Sequence, residues 1–429
     1  VDAVMKVNIL ELMAESKTLK LEDVVMLTNK IKKKIVFETN PKFFQINKVE
    51  KSLKVFDKNV INFFDKLSNF IFKNKKIKEF PDLATFGFFC RRANIKLLER
   101  KYQNFLENRY GRGLILHFTP SNVPLNFAYS LFFGLITGNA NIIRLSKNNH
   151  PQTKILIKII NELLKKKEFY ILRKKINLIR YDKSDQITKH LSSICDVRLI
   201  WGGDDSINQI RKYSLSPSAF DVTFADKFSI CIISAKNYLK SGFFKKEAEL
   251  FYNDTLFFDQ NACTSPKIVI WHGDSKNINL AKKKFWEEFE IMIKKKNYKI
   301  YENWNYEKFY NETNAIIDLD IKANKINSSI IKRLQLKKIT QKINKYFSPG
   351  GFFFEFDFKQ FSEIKKIFSS KVQTLTYIGF DPNFIKKKLN LDKINSVDRI
   401  VPNGKSSEIN LEWDGYDIVF QISKKLTII

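Results

Sequence analysis

Cys263 lies in Asp259-Gln260-Asn261-Ala262-Cys263-Thr264-Ser265-Pro266, immediately before the apolar run Lys267-Ile268-Val269-Ile270-Trp271. A thiolate attacks carbonyls and thioesters far better than a hydroxyl does, and its reactivity depends on a lowered pKa or a polarised site. A thiol in a loop that leads into a strand is a candidate for acylation. Cys90, Cys195 and Cys231 have no comparable neighbours and read as buried structural cysteines, the usual fate of a free thiol. Taken alone, Cys263 reads the same way; its company separates it. Pro120-Ser121-Asn122-Val123-Pro124 offers a second group. A side-chain amide in a tight turn after a buried strand can donate to an oxyanion, and Asn between prolines is equally ordinary loop chemistry. A third candidate is Trp201-Gly202-Gly203-Asp204-Asp205-Ser206-Ile207, which ends a strand and opens a helix, where backbone N–H groups can face a pyrophosphate. Asp204 and Asp205 fit helix capping and would repel a phosphate they faced.

Several chemistries are excluded. The chain has neither G-x-G-x-x-G nor a Walker loop, so the usual dinucleotide and P-loop signatures are missing. His117, His150, His190 and His272 show no metal spacing and read as surface or core residues. No G-x-S-x-G elbow or Ser-His-Asp order appears, which disfavours a serine hydrolase. The four cysteines are scattered, against both zinc ribbons and a disulfide framework. The net charge of +30 invites a nucleic-acid partner. However, lysines recur throughout, in residues 31–34, 165–167, 281–284 and 386–388, beside Ile, Leu and Asn. Solvated helix faces in a Lys-, Asn-, Ile- and Phe-rich composition account for them better. No window reaches about 18 uninterrupted apolar residues, so no membrane span is expected, and residues 1–4 lack the makings of a signal peptide. A cytoplasmic location is the expectation.

The elements that must position these groups follow from periodicity. Residues 1–105 read as helical and mixed in charge, interrupted at Pro41 and Pro81, with apolar positions at helical spacing in residues 60–67. Residues 113–118 form a short apolar run suited to a buried parallel strand. A helix at 125–135, a strand at 141–145, a helix at 151–166 opened by Pro151, and strands at 176–179 and 197–201 follow. This rhythm is a doubly wound α/β domain. A second unit begins near Thr223, with strands at 228–233 and 267–271 and helices at 245–251 and 280–295. Residues 300–345 are the least legible, 352–358 read as an alternating strand, and 417–422 as a last strand pairing outside its own domain.

Together these segments resemble the aldehyde dehydrogenase superfamily, and more closely its fatty acyl-CoA reductase branch known from bacterial bioluminescence operons. The resemblance runs over residues 80–429, with no match placed before it. It rests on residues 113–124, 138–146, 196–204, 224–227 and 259–266, on Arg399-Ile400-Val401-Pro402 and on Trp413-Asp414-Gly415-Tyr416-Asp417. The fold it implies is α/β and aldehyde dehydrogenase-like: two doubly wound α/β domains with a C-terminal returning strand. The expected division is a mostly helical region at 1–79, a cofactor domain at 80–222, a catalytic domain at 223–400 and a returning or oligomerisation segment at 401–429.

The activity implied is NADPH-dependent reduction of an acyl-CoA or other acyl thioester to an aldehyde. Cys263 would take the acyl group, with Asn122 and the Cys263 backbone N–H holding the oxyanion, and NADPH would reduce the cysteinyl thioester. Trp201, Gly202 and Gly203 would match the family's phosphate-side turn, and Ser146 and Lys147 the segment near the adenine ribose. Hydrolytic relatives commonly carry a glutamate where Lys147 falls; a lysine there favours a 2′-phosphate. Hydrolytic members also have a general-base glutamate, and Thr223-Phe224-Ala225-Asp226-Lys227 has none, leaving Asp226 as the open substitute. The resemblance implies an acyl-CoA or acyl-protein donor, a candidate acyl-protein synthetase partner and a homo-oligomer, without nucleic acid. An aldehyde dehydrogenase running oxidatively is the alternative, and a basic nucleic-acid-binding protein the distant one.

Overall fold

The computed structural model describes residues 34–43, 51–182, 184–322, 330–391, 393 and 396–428. The helical reading of residues 1–33 and 44–50, with Lys32 and Lys33, lies outside them. The chain divides into two compact units, residues 1–224 with 419–429, and residues 225–418.

In the first unit, strands Leu114–Phe118 (β3), Ala140–Arg144 (β4), Ile176–Arg180 (β5), Val197–Trp201 (β6) and Phe220–Phe224 (β7) are parallel. Val36–Phe37 (β1) pairs antiparallel with β5, and the sheet runs β1-β5-β4-β3-β6-β7. Among the parallel strands, chain order grows outward from β3 in both directions. The order reverses between β3 and β6, and such a point is where open α/β sheets form a crevice at the carboxyl ends of their strands. Helix Lys58–Lys73 begins where the Asp57 carboxylate accepts from Asn59 N at 2.8 Å. It buries Val60, Ile61, Phe63, Phe64 and Leu67. Phe64 packs on Phe132 at 4.7 Å and Phe63 on Phe169 at 5.4 Å. These rings tie this helix into the core of the first unit. Pro81 and Pro151 each open a helix, Pro81–Phe89 and Pro151–Leu164, where a missing N–H is harmless.

Two sequence expectations are corrected here. Thr223 and Phe224 close β7 of the first sheet, Phe224 pairing with Trp201, and do not open the second unit. Of the strand expected at 417–422, only Asp417 is in a strand, and residues 418–422 are not. Ile418, Val419 and Ile422 are buried at helical spacing, and Ile418–Gln421 forms one helical turn. The strand comes next, Ser423–Lys425 (β16), antiparallel to Arg109–Gly111 (β2). Asn139 Nδ2 donates to Ile422 O at 2.9 Å and Arg112 Nε to Gln421 O at 3.0 Å, fixing this segment on the first unit. The expected segment 401–429 thus divides, 401–418 belonging to the second unit.

The second unit has a fully parallel sheet of Lys332–Gln335 (β10), Phe352–Phe358 (β11), Pro266–His272 (β9), Phe228–Ser234 (β8), Val372–Ile378 (β12) and Arg399–Pro402 (β13), in that spatial order. Both faces are covered. Ile230, Ile232, Ile268 and Phe354 enter one apolar cluster, and Cys231, Ile233, Val269 and Phe353 the other. β11 is the strand expected at 352–358, and its alternate side chains enter the two apolar clusters on opposite faces of the sheet. Its Glu355 is buried, accepting from both Trp271 Nε1 and Trp286 Nε1 at 2.9 Å, which compensates lost hydration. Residues 300–345 supply helix Glu302–Asp318, β10 and the turn of 3-10 helix Gln341–Tyr346. Glu412–Trp413 (β14) and Tyr416–Asp417 (β15) form a hairpin. Its turn has positive φ at both Asp414 (51°) and Gly415 (79°), the geometry for which Asp-Gly is suited. Among the described residues no helix is long and apolar enough to cross a membrane, and no group of three or more His, Cys, Asp or Glu gathers to hold a metal ion.

Candidate active site

Asn122, Ser146, Lys147, Gly202 and Gly203 follow strands of the first sheet at its carboxyl edge, and Trp201 ends one of them. The turn bearing Asn122, after β3, is held to the segment after β4. Asn148 Nδ2 donates to Ser121 O at 3.4 Å, and His150 Nε2 lies 3.2 Å from the same oxygen. Asn122 itself is exposed, as is Lys147, whose ammonium pairs with Asp182 at 2.6 Å. Ser146 Oγ accepts from Asn148 N at 3.1 Å. A shallow depression lined by Thr119, Ser121, Val123, Leu145, Ser146 and Arg180 joins these turns.

Trp201, at the end of β6, is placed by a buried relay of neutral groups. Its Nε1 donates to Ser130 Oγ at 3.0 Å, and Ser130 lies 2.7 Å from His117 Nδ1. His117 Nε2 lies 2.9 Å from Asn141 Oδ1, while Asn141 Nδ2 donates to the backbone oxygens of Asn139 and Lys175. With the amide spent as a donor to carbonyls, His117 must donate through Nε2 and accept through Nδ1. Burial holds His117 down at about 3, so it stays neutral. Gly134 is required here: a Cβ would come within 1.7 Å of Asn141 Oδ1. The Trp201 ring stacks on Phe224 at 3.7 Å. Gly202 is different. A Cβ on it would touch Ser206 Cβ at an ordinary 3.5 Å, and its φ is not positive, so neither space nor backbone demands glycine.

Cys263 lies in the second unit at the opposite kind of edge. It precedes β9 as Lys227 precedes β8 and Asp398 precedes β13, so parallel strands gather these groups at the sheet's amino edge. Two successive non-glycine residues, Asp259 (φ 55°) and Gln260 (φ 59°), open its loop in the left-handed region, at about 1–2 kcal/mol each. The buried Gln260 amide offsets this by using its whole capacity. Nε2 donates to Pro266 O and Phe352 O at 3.0 Å, and Oε1 accepts from Gly351 N at 3.0 Å and Phe352 N at 2.9 Å. Ser229 Oγ donates to Cys263 O at 2.7 Å and accepts from Thr374 N at 3.3 Å, bridging loop and sheet.

Cys263 is half-buried, whereas Cys90, Cys195 and Cys231 are buried. Burial pushes Cys195 up to about 12 and raises the other two thiols as well. The Cys263 thiol is also raised, first by burial and then by the charges of Asp414 and Asp226. The Lys227 backbone N–H, hydrogen-bonded to it, and the Lys267 ammonium act in the opposite direction. Lys227 Nζ pairs with Asp398 at 2.6 Å, and Gln373 donates to Asp414. Burial raises Asp414 to about 6. Sequence reasoning quoted Gln260 as a neighbour of Cys263 without giving it a role, and missed Ser229, Gln373 and Lys267 as parts of this site. The one signal available for Lys267 was a lysine heading an otherwise apolar strand.

The folded chain is similar to solved aldehyde dehydrogenases. Lactaldehyde dehydrogenase from Escherichia coli superposes with a TM-score of 0.60 at 10% identity, covering 88% of this chain and 87% of that one. An indole-3-acetaldehyde dehydrogenase complexed with NAD+ gives 0.58 at 11% identity, covering 85% and 82%. The aldehyde dehydrogenase-like α/β fold expected from the sequence is thus the fold present. The family described as Acyl-CoA reductase (LuxC) matches residues 17–344, most of the chain, and the chain belongs to it. That match begins well before residue 80, where the sequence had shown no resemblance. Among relatives, long-chain acyl-protein thioester reductase 2 of Photobacterium leiognathi is 29% identical over 170 residues, 39% of this chain and 34% of that protein. The long-chain acyl-protein thioester reductase of Vibrio harveyi is 26% identical over 190 residues, 44% and 36% of the two chains. The matched stretch spans about a third of each relative's length.

Proposed function

We propose that this protein reduces an acyl thioester to an aldehyde, with Cys263 as the nucleophile. The observation that carries the reading is the setting of that thiol. It is the half-buried cysteine of four, in a loop whose backbone is pinned by Gln260 and Ser229 at a sheet edge. The thiol gives up its proton, the sulfur attacks the acyl carbonyl, and the donor thiol departs, leaving a cysteinyl thioester. The exposed Asn122 amide is the proposed side-chain donor to the oxyanion of that step. A nicotinamide cofactor, when bound, supplies the hydride that discharges the thioester as aldehyde. The first unit fits such a group. The strand order reverses beside β6, and Gly202 leaves open a space that the fold would let a side chain fill. Trp201 and Gly203 border that turn, and Ser146 and Lys147 would lie on the ribose side. The exposed Lys147 ammonium suits a 2′-phosphate, which makes NADPH the proposed cofactor. The absence of glutamate from residues 223–227 favours hydride over water as the agent of discharge. The proposed donors are acyl-CoA and acyl-protein.

Incubation with mass-tagged acyl-CoA or an acyl-protein should give a hydroxylamine-labile adduct on Cys263. Adding NADPH should remove it and release aldehyde. Full reductase activity in Cys263→Ala would sink the reading.

A further inference from the structure

The turn that leads into β11 is held by one helix. In Glu302–Asp318, Trp304, Lys308, Asn311 and Ala315 recur about one turn apart and share a face. Lys308 is only 2% exposed, a rare place for an ammonium. Its Nζ donates to Gly350 O at 2.9 Å and to Ile330 O at 3.0 Å, which compensates the lost hydration. Asn311 Nδ2 donates to Ser348 Oγ at 2.9 Å and to Phe347 O at 3.4 Å. Trp304 closes the remaining space, since a Cβ on Gly350 would meet its ring at 3.2 Å. Gly350 (φ 72°) and Gly351 (φ 92°) are both left-handed and buried, so this stretch is turn rather than ladder. Its buried carbonyls need donors from elsewhere, and the helix supplies them.

The same turn is bonded to the root of the Cys263 loop. Gly350 N donates to Asp259 O at 2.9 Å, and Gly351 N to Gln260 Oε1 at 3.0 Å. Gly350 therefore receives the Lys308 ammonium at its oxygen and restrains Asp259 through its N–H. Asp259 and Gln260 are the two left-handed residues that open the loop, a conformation that persists only while its surroundings hold it. Two further bonds reach this root. Tyr298 OH donates to Asp259 Oδ1 at 3.0 Å, and Lys267 Nζ donates to Gln260 O. Lys267 is itself the extra residue of a bulge, since Ser229 of β8 pairs with Pro266 and Ile230 with Ile268.

We propose that Lys308 is a positioning residue for the acylation step; this rests on Cys263 being the nucleophile. Through Gly350 it fixes the Asp259–Gln260 pair, and through that pair the place of the Cys263 sulfur. Attack on a carbonyl needs sulfur and carbon in near-bonding geometry, and a displacement of about 1 Å costs about a hundredfold in rate. Without the ammonium, two buried carbonyls lose their donor, the turn shifts to regain partners, and the left-handed pair relaxes. The thiol then becomes easier for a small reagent to reach and harder to align with an acyl carbon. Alkylation and turnover should therefore move in opposite directions, which a plain loss of stability does not produce.

The test is iodoacetamide alkylation read cysteine by cysteine by peptide mass spectrometry, beside steady-state turnover. The buried Cys231 of the same unit reports general loosening. In Lys308→Met, Cys263 should react about three- to tenfold faster while Cys231 keeps its protection. The kcat for acyl thioester reduction should fall about tenfold or more, with the KM for NADPH unchanged. Lys308→Arg, which keeps donors for both carbonyls, should restore most of the kcat. Tyr298→Phe removes only the hydroxyl bound to Asp259. It should move both readouts the same way by a smaller factor, and it keeps the test decisive where Lys308→Met does not fold. An unmoved Cys263 rate in the folded variants, or Cys231 quickening together with Cys263, overturns the proposal. Alkylation needs no acyl donor, so this failure is distinct from failure of the reductase reading, which Cys263→Ala turnover decides.

Discussion

At the carboxyl edge of the first sheet, Trp201 is set by neutral groups: an indole, a hydroxyl, a neutral imidazole and an amide, each matched to the next. At the amino edge of the second sheet, Cys263 sits among Lys227, Asp226, Asp398, Asp414 and Lys267, with two strands bulged beside it. The relay that sets Trp201 keeps its charge state near neutral pH, since burial holds His117 far below neutrality. The second edge contains groups whose charge changes between acid and mildly alkaline pH.

The sharpest way to break this contrast is to remove the thiol. Cys263→Ala should lower acyl thioester reduction by about a thousandfold or more, as loss of a nucleophile does, while NADPH binding measured by fluorescence stays intact. Asn122→Ala should reduce kcat about a hundredfold with little change in KM, the signature of an oxyanion donor. Lys147→Glu should shift the kcat/KM preference from NADPH toward NADH by about ten- to a hundredfold, the worth of one charge-assisted hydrogen bond. Ser130→Ala tests the neutral relay. It strands the Trp201 N–H and His117 Nδ1, and chemical denaturation should show a loss of about 1–3 kcal/mol that does not vary between pH 6 and 8.

Asp414→Asn tests the charged edge and carries the smallest effect. Burial raises Asp414 to about 6, above its value of about 3.9 in an unfolded chain. Its protonation therefore favours the folded state fully below pH about 4, and that contribution is lost as pH rises through about 6. The difference in Tm between the wild type and the Asp414→Asn variant should change across this window and level off above it. Removing the anion should also quicken Cys263 alkylation at neutral pH severalfold, since Asp414 is one of the charges that raises the thiol. No change in either measurement would erase the distinction between the edges.

The strands β3, β4, β6, β8 and β9 are legible in sequence because buried parallel strands are short apolar runs between turns. The three inert cysteines and the distinct position of Cys263 are legible for the same reason. β7 is not, since Phe220-Asp221-Val222-Thr223-Phe224 carries a carboxylate in mid-strand. That carboxylate makes a two-pronged pair with the buried Arg198 (2.6 and 3.0 Å), a long-range contact no local pattern announces. The bulge at Lys267 is invisible for a related reason: it depends on where β8 stops matching β9. Gln260 reads as an ordinary loop residue until Gly351 and Phe352, far along the chain, supply its partners. What stays hidden is register and long-range hydrogen bonding.

The first unit is discontinuous in sequence: residues 225–418 are spelled out between β7 and β16. During synthesis, the ribosome must complete the whole second unit before the partner of β2 exists. Until then Arg109–Gly111 presents an unpaired edge, and Asn139 and Arg112 lack the carbonyls of Ile422 and Gln421. The first half of the polypeptide is thus the last to be finished, and its folding is timed by translation of everything between.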